Sequence, residues 1–150
     1  MNSADIPITS RSRALIVRYE HDRRIDDAIA RETVKQSVGE GDREVASLEL
    51  HPFNPATRLR DRPEQDWAWA FVENERFADA LLNKERECVP DLPIHLFGCA
   101  PLVLMLHLGW CLSRRPLSVY QQAGLDGTWS LGYSRSQPPT PEDFFRVEGL

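Results

Sequence analysis

The stretch PIHLFGCAPLVLMLHLGW, Pro93 to Trp110, is the least polar in the chain, and its reading decides the fold. Extended to Leu92–Leu112, it approaches the roughly 20 residues of a membrane-spanning helix. Pro93, His95, Gly98, Pro101 and His107 interrupt it, and Gly98 with Pro101 divides it into two unequal halves. Proline has no amide proton and clashes with a preceding helical turn, but it suits a helix start. The block therefore reads as two buried elements joined by a turn. LPIHLFG (92–98) is a strand, and a helix runs from Pro101 to near Arg114.

The same alternation extends in both directions. RALIVRYE (13–20) carries the apolar run Leu15, Ile16 and Val17, as expected of a central strand buried on both faces. HDRRIDDAIARETVKQSV (21–38) repeats Ile25, Ala28, Ile29 and Val34 at helical spacing, with Asp22 as a candidate N-cap. GEGD (39–42) breaks the chain before a second strand, REVASLELHPF (43–53), whose inward residues are Val45, Leu48 and Leu50; 54–63 is a loop. Residues 64–87 form the clearest helix, with Trp67, Ala70, Phe71, Phe77, Ala78, Leu81 and Leu82 on one stripe, between Pro63 and Pro90. PLSVYQQ (116–122), the turn GLDG (124–127) and TWSLGYS (128–134) supply two more strands. The tail 135–150 is Pro-rich and ends with a Phe144–Phe145 pair suited to docking.

Strands alternating with helices imply crossover connections. The expected fold is α/β: a single Rossmann-like domain over 13–134, with about five mostly parallel strands and helices on both faces. The last two strands would form an antiparallel edge hairpin. Residues 1–12 read as a flexible N-terminal segment.

Bulk properties narrow the partners. The 150 residues are 41% hydrophobic and 27% charged, ordinary for a globular domain. A net charge of −5 opposes general binding to long nucleic acids, which needs clustered cations. Arginine nevertheless dominates the cations, since Lys35 and Lys84 are the only lysines, and its planar fork suits a local phosphate or carboxylate site. The N-terminus lacks a basic segment leading into an apolar one, and Cys88, Cys99 and Cys111 form no CxxC pair; both predict a cytoplasmic location with free thiols. No metal-binding spacing such as HExxH occurs, so neither metal nor cofactor is expected. His95 and His107 read as hydrogen-bonded core residues.

The turn Gly98–Cys99–Ala100–Pro101 falls where a strand ends and a helix begins. In an open parallel sheet ligands gather there. Small residues admit close approach, and the free amides and dipole of the helix favour an anion. The same residues also serve packing alone. Cys99 would be a nucleophile only with a base beside it; otherwise it is a small packing residue.

The segment IHLFGCAPLVLMLHLGWCLSRRPLSVYQQ (94–122) resembles the second half of SAVED domains. The matching positions are Ile94–Phe97, Ala100–Pro101, Leu108–Gly109 and Pro116–Gln121. The resemblance implies a CARF-like unit that senses a cyclic oligonucleotide in prokaryotic antiviral signalling, of the CBASS or type III CRISPR kind. SAVED domains look like two fused units joined to an effector, whereas these residues supply one unit and no effector. The resemblance therefore implies a homodimer or a partner effector protein, with no membrane association.

On that reading the ligand-binding residues are Tyr19, His21, Arg23, Gly98, Cys99, Ala100, Tyr120 and Gln121. Tyr19 would stack on a base, Arg23 or Arg24 would clamp phosphate, and Gln121 would read a base edge. Each also fits a plain strand end. Arg114 and Arg115 fit a helix C-terminus, where cations meet the dipole favourably. Trp67, Trp69 and Trp110 read as core or interface residues, and Trp129 as a base platform or a cap on the sheet edge. Two other functions stay open: a metal-independent ring nuclease that cleaves the messenger, and a ligand-free assembly subunit.

Overall fold

The computed structural model describes residues 5–21, 23–38, 45–50, 67–88, 92–112, 115–123 and 128–135. The tail 136–150, with its Phe144–Phe145 pair, and Asp22 lie outside them. Eight elements follow in order: β1 (Ala14–Tyr19), α1 (Asp27–Val38), β2 (Val45–Leu50), α2 (Trp67–Glu87), β3 (Ile94–Gly98), α3 (Leu102–Cys111), β4 (Leu117–Ala123) and β5 (Thr128–Arg135). The strands form one sheet in the order β2-β1-β3-β4-β5. β1, β2, β3 and β4 are parallel, and β5 closes the edge antiparallel to β4 with an irregularity between Val119 and Tyr120. This is the expected Rossmann-like α/β architecture.

β1 lies inside the sheet, between β2 and β3, with all six of its residues buried, and its alternation feeds two cores. Leu15, Val17 and Tyr19 join Leu96, Ala70 and Leu81 of α2, and Leu104 and Leu108 of α3. Ala14 and Ile16 join Phe97, Tyr120, and Ala30 and Val34 of α1. One helix thus covers one face and two cover the other. No helix among the described residues is long and apolar enough to cross a membrane.

Three expectations are corrected. First, residues 5–12 are docked rather than flexible. Ile6 exchanges both backbone hydrogen bonds with Ser47 (2.8 and 2.9 Å), Ile8 is buried in the core, and Asp5 pairs with Arg18 at 2.6 Å. β2 is an edge strand whose free backbone groups need a partner, and this segment supplies one. Second, α1 begins at Asp27, and Asp26 caps it by accepting from the amides of Ala28 (2.8 Å) and Ile29 (3.2 Å). Ala28 and Ile29 consequently point outward, and Ala30 and Val34 face the sheet. Third, the inward set of β2 is wider than Val45, Leu48 and Leu50: Ala46 and Ser47 are buried as well, while Leu48, half-buried, packs against the same core as Leu50.

Polar residues tie the layers together. Asn74, buried on α2, accepts from the Tyr19 hydroxyl (2.9 Å) and donates to the Leu104 carbonyl (3.3 Å); it also lies 3.2 Å from His107 Nδ1. Glu85, on the same face one full stripe later, accepts from the Leu92 amide (2.7 Å) and pairs with Arg115. Arg115 is therefore a buried ion-pair partner just ahead of β4, not a solvated cation on a helix dipole. Arg114 lies outside the described residues.

Candidate functional site

β1 leads to β2 on one side, whereas β2 returns across it to β3 on the other. The direction of winding reverses between β1 and β3. Adjacent loops diverge at such a point and leave a crevice beyond the strand ends. Tyr19 is in register with Gly98, and Phe97 with Tyr120. The Cys99 amide donates to the Tyr19 carbonyl at 2.9 Å, extending the β1–β3 ladder one residue beyond the strand. The residues after β1, the Gly98–Pro101 corner and Gln121 therefore share one end of the sheet.

Of the expected ligand residues, the two tyrosines do not line that crevice. Tyr19 is fully buried against α2 and α3, its hydroxyl engaged by Asn74. Tyr120 is buried on the opposite face. It stacks on Phe97 at 4.3 Å between ring centroids and places its hydroxyl 2.8 Å from His95 Nδ1. Strand pleating sends both rings into the layers rather than off the rim, so neither offers a surface to a base. His21 is buried too, edge-on to Tyr19 at 6.1 Å. Arg23, Arg24 and Gln121 are exposed, and Gly98, Cys99 and Ala100 are half-buried. Trp129 packs edge-on against Phe97 at 5.4 Å, as a cap on the sheet edge.

The corner itself is built by packing. A Cβ at Gly98 would overlap Met105 Sδ and Cε, so the glycine makes room for a thioether from its own helix rather than for a ligand. Cys99 packs toward the α1 side and Ala100 toward the α2–α3 side. Beyond them Pro101 caps α3 with its carbonyl, which accepts from Leu104 (3.0 Å) and Met105 (3.1 Å). No side chain caps this helix and no acidic residue occupies its first turn. The first-turn amides of Leu102 and Val103 have no carbonyl one turn back.

The α1 side of the crevice has the opposite character. Arg18 is buried at 2% side-chain exposure, with Asp5 at 2.6 Å, Asp27 at 3.3 Å, Glu49 at 3.4 Å and Glu20 at 3.7 Å. Its Nε also donates to Ser47 Oγ at 3.0 Å, and that hydroxyl donates to Asp27 at 2.5 Å. Arg31 of α1 also pairs with Asp27, at 3.6 Å, so two guanidinium groups meet the four carboxylates. Burial, with the charge and hydrogen bond of Glu49, raises Glu20 to about 7, against the opposing pull of the Ile25 amide and Arg18. Sequence reading missed Arg18; its signal was a lone cation in an apolar strand, registered opposite Glu49.

Titration of two buried groups gives a testable pH signature. Glu20 keeps a proton in the fold up to about 7 that the unfolded chain releases near 4.5, so its contribution to stability declines as pH rises across that window. His95, held neutral by burial down to about 4, must be compared with an unfolded histidine near 6.5; its contribution declines as pH falls across that window. The two slopes oppose. Urea midpoints should show Glu20→Gln gaining on the parent, and His95→Asn losing ground to it, as pH rises. The His95 change is expected to approach about 3 kcal/mol across its window, and the Glu20 change, shared with Glu49, to follow the stated sign. Parallel profiles for parent and variants would refute both assignments.

Chemistry elsewhere is limited. His107 Nε2 lies 3.6 Å from Glu75 and 3.8 Å from Cys111 Sγ, but burial together with the charges of Glu75 and Asp79 raises the Cys111 thiol, keeping it protonated. Among the described residues, no three His, Cys, Asp or Glu side chains are placed to hold one metal ion. The strand order defines a Rossmann-like α/β domain. No family model matches the chain, and no curated protein matches it.

Proposed function

We propose that this domain is a sensing unit for a cyclic oligonucleotide of the kind used in prokaryotic antiviral signalling, CBASS or type III CRISPR. It would take one phosphate of the ring at the β3–α3 corner. The observation that carries the reading is the winding reversal between β1 and β3, which coincides with an α3 start that no side chain caps. The resemblance of residues 94–122 to SAVED domains supplies the ligand class. Arg23 and Arg24, exposed in the loop leaving β1, are the phosphate cations, and Gln121 is the base reader. The two tyrosines have no part in it. One unit presents half of a two-unit ligand surface, so the sensor acts as a homodimer or with a partner effector.

The test is a panel of cyclic di-, tri- and tetranucleotides, with thermal unfolding followed and the nucleotides then chromatographed. At a hundredfold excess over Kd a true ligand contributes about 2.7 kcal/mol. For a chain of this size that raises Tm by roughly 8 °C. The Arg23→Ala/Arg24→Ala variant should keep its unliganded Tm and lose the shift. Linear products would replace the sensor with the ring nuclease. No shift with any ring would overturn the proposal in favour of an assembly subunit.

A further inference from the structure

Apart from His107, which faces α2, α3 is apolar all round, yet among the described residues only one side of it is covered. Its inner residues Leu104 and Leu108 are fully buried, while Leu102 is 75% exposed, Leu106 66%, Trp110 78% and Val103 48%. A helix of this composition normally lies inside a protein. Leu102, Leu106 and Trp110 follow one another at spacings of four, and Val103 lies three residues before Leu106, so the four form a continuous stripe along the helix. Leu82 of α2, 41% exposed, lines the same groove as Trp110 and widens the stripe on one flank. Gly109 lies within it, and a Cβ there would meet nothing within 4 Å, leaving a notch in the surface.

We infer that this outer face of α3 is where a second copy of the chain docks. Three features select a second copy. The α3 stripe itself carries no charged side chain, so it meets its own twin without burying like charges, with Glu75 and Asp79 of the flanking groove at its rim. Leu106 stands midway between Leu102 and Trp110, four residues from each, so a two-fold axis near Leu106 matches the surface to itself. The Gly109 notch gives each copy room for a large side chain of the other. At the stated exposures the stripe and Leu82 offer roughly 600 Å² per chain, so two copies remove about 1,200 Å² from water, the lower end of stable specific interfaces. The inference concerns α3 alone and holds with or without a nucleotide ligand.

Sedimentation of the full chain without nucleotide, from micromolar to submillimolar concentration, tests it. The expected mass is twice 17.2 kDa. Leu106→Asp should restore the single-chain mass with an unchanged circular dichroism spectrum, because the side chain is outside the core. Leu106→Cys should give a disulfide-linked dimer on mild oxidation, beyond any formed by the parent, whereas Gln36→Cys on the exposed side of α1 should not. A single-chain mass for the parent, or a dimer that Leu106→Asp leaves intact, overturns the inference. A single-chain mass with Leu106→Cys protected from thiol reagents also overturns it, by showing that another part of the chain covers the face. Failure in the nucleotide panel leaves each of these readings unaffected.

Discussion

Arg18→Met is expected to unfold the domain at neutral pH. The guanidinium is buried, and Asp5, Glu20, Asp27 and Glu49 all lie within ion-pair distance of it. Removing one partner of a buried pair ordinarily costs about 3–5 kcal/mol, because the remaining charge is left without compensation. Here several carboxylates are left facing one another, so the loss should reach or exceed about 5 kcal/mol, the lower bound of whole-domain stability. Two controls identify the cause. Arg18→Lys should recover little, since an ammonium is a point charge and cannot reach Ser47, Asp5 and Glu49 in three directions. Lowering the pH toward the ordinary carboxylate range should partly refold Arg18→Met, because protonation removes the repulsion. A cooperative transition at neutral pH within a few degrees of the parent would show that the network contributes little.

Glu85→Ala should be the next most damaging change. It strips Arg115 of its carboxylate and leaves the Leu92 amide without its acceptor, both in buried surroundings. A loss of about 3–5 kcal/mol is expected, or on the order of 10 °C in Tm for a chain of this length. The double variant Glu85→Leu/Arg115→Leu should recover much of it, because apolar residues of similar bulk often replace a buried pair without penalty. Thermal and urea unfolding of the three variants measure this. A double variant no more stable than Glu85→Ala would mean that the amide contact, not the ion pair, holds the starts of β3 and β4 to α2.

These two networks mark where the sequence stopped being readable. The order of strands and helices was visible because Leu15–Val17, the α2 stripe and the broken block at 93–110 are local patterns, each set by burial on one or both faces. Burial of a polar side chain is not local. Arg18 depends on residues 5, 27 and 49, and Arg115 on Glu85; no spacing along the chain announces such partners. Tyr19 and Tyr120 looked like rim residues because each closes an apolar run, but Tyr120 lies in the middle of β4, and pleat parity and the depth of the α2 and α1 layers decide the direction of both. The N-terminal segment could be recognised as structural only once β2 was known to be an edge. At the corner the turn was legible, and Gly98 was not: its role depends on Met105, which returns from the first turn of α3.

What remains at that corner is the pair of first-turn α3 amides, with exposed arginines in the neighbouring loop. Backbone amide shifts recorded while each cyclic nucleotide of the panel is titrated into the protein test this claim most directly. Saturable shifts should concentrate at Cys99, Ala100, Leu102 and Val103, with smaller ones at Arg23, Arg24 and Gln121. Shifts centred on another surface, or a ligand that binds without moving the Leu102 and Val103 amides, would contradict it.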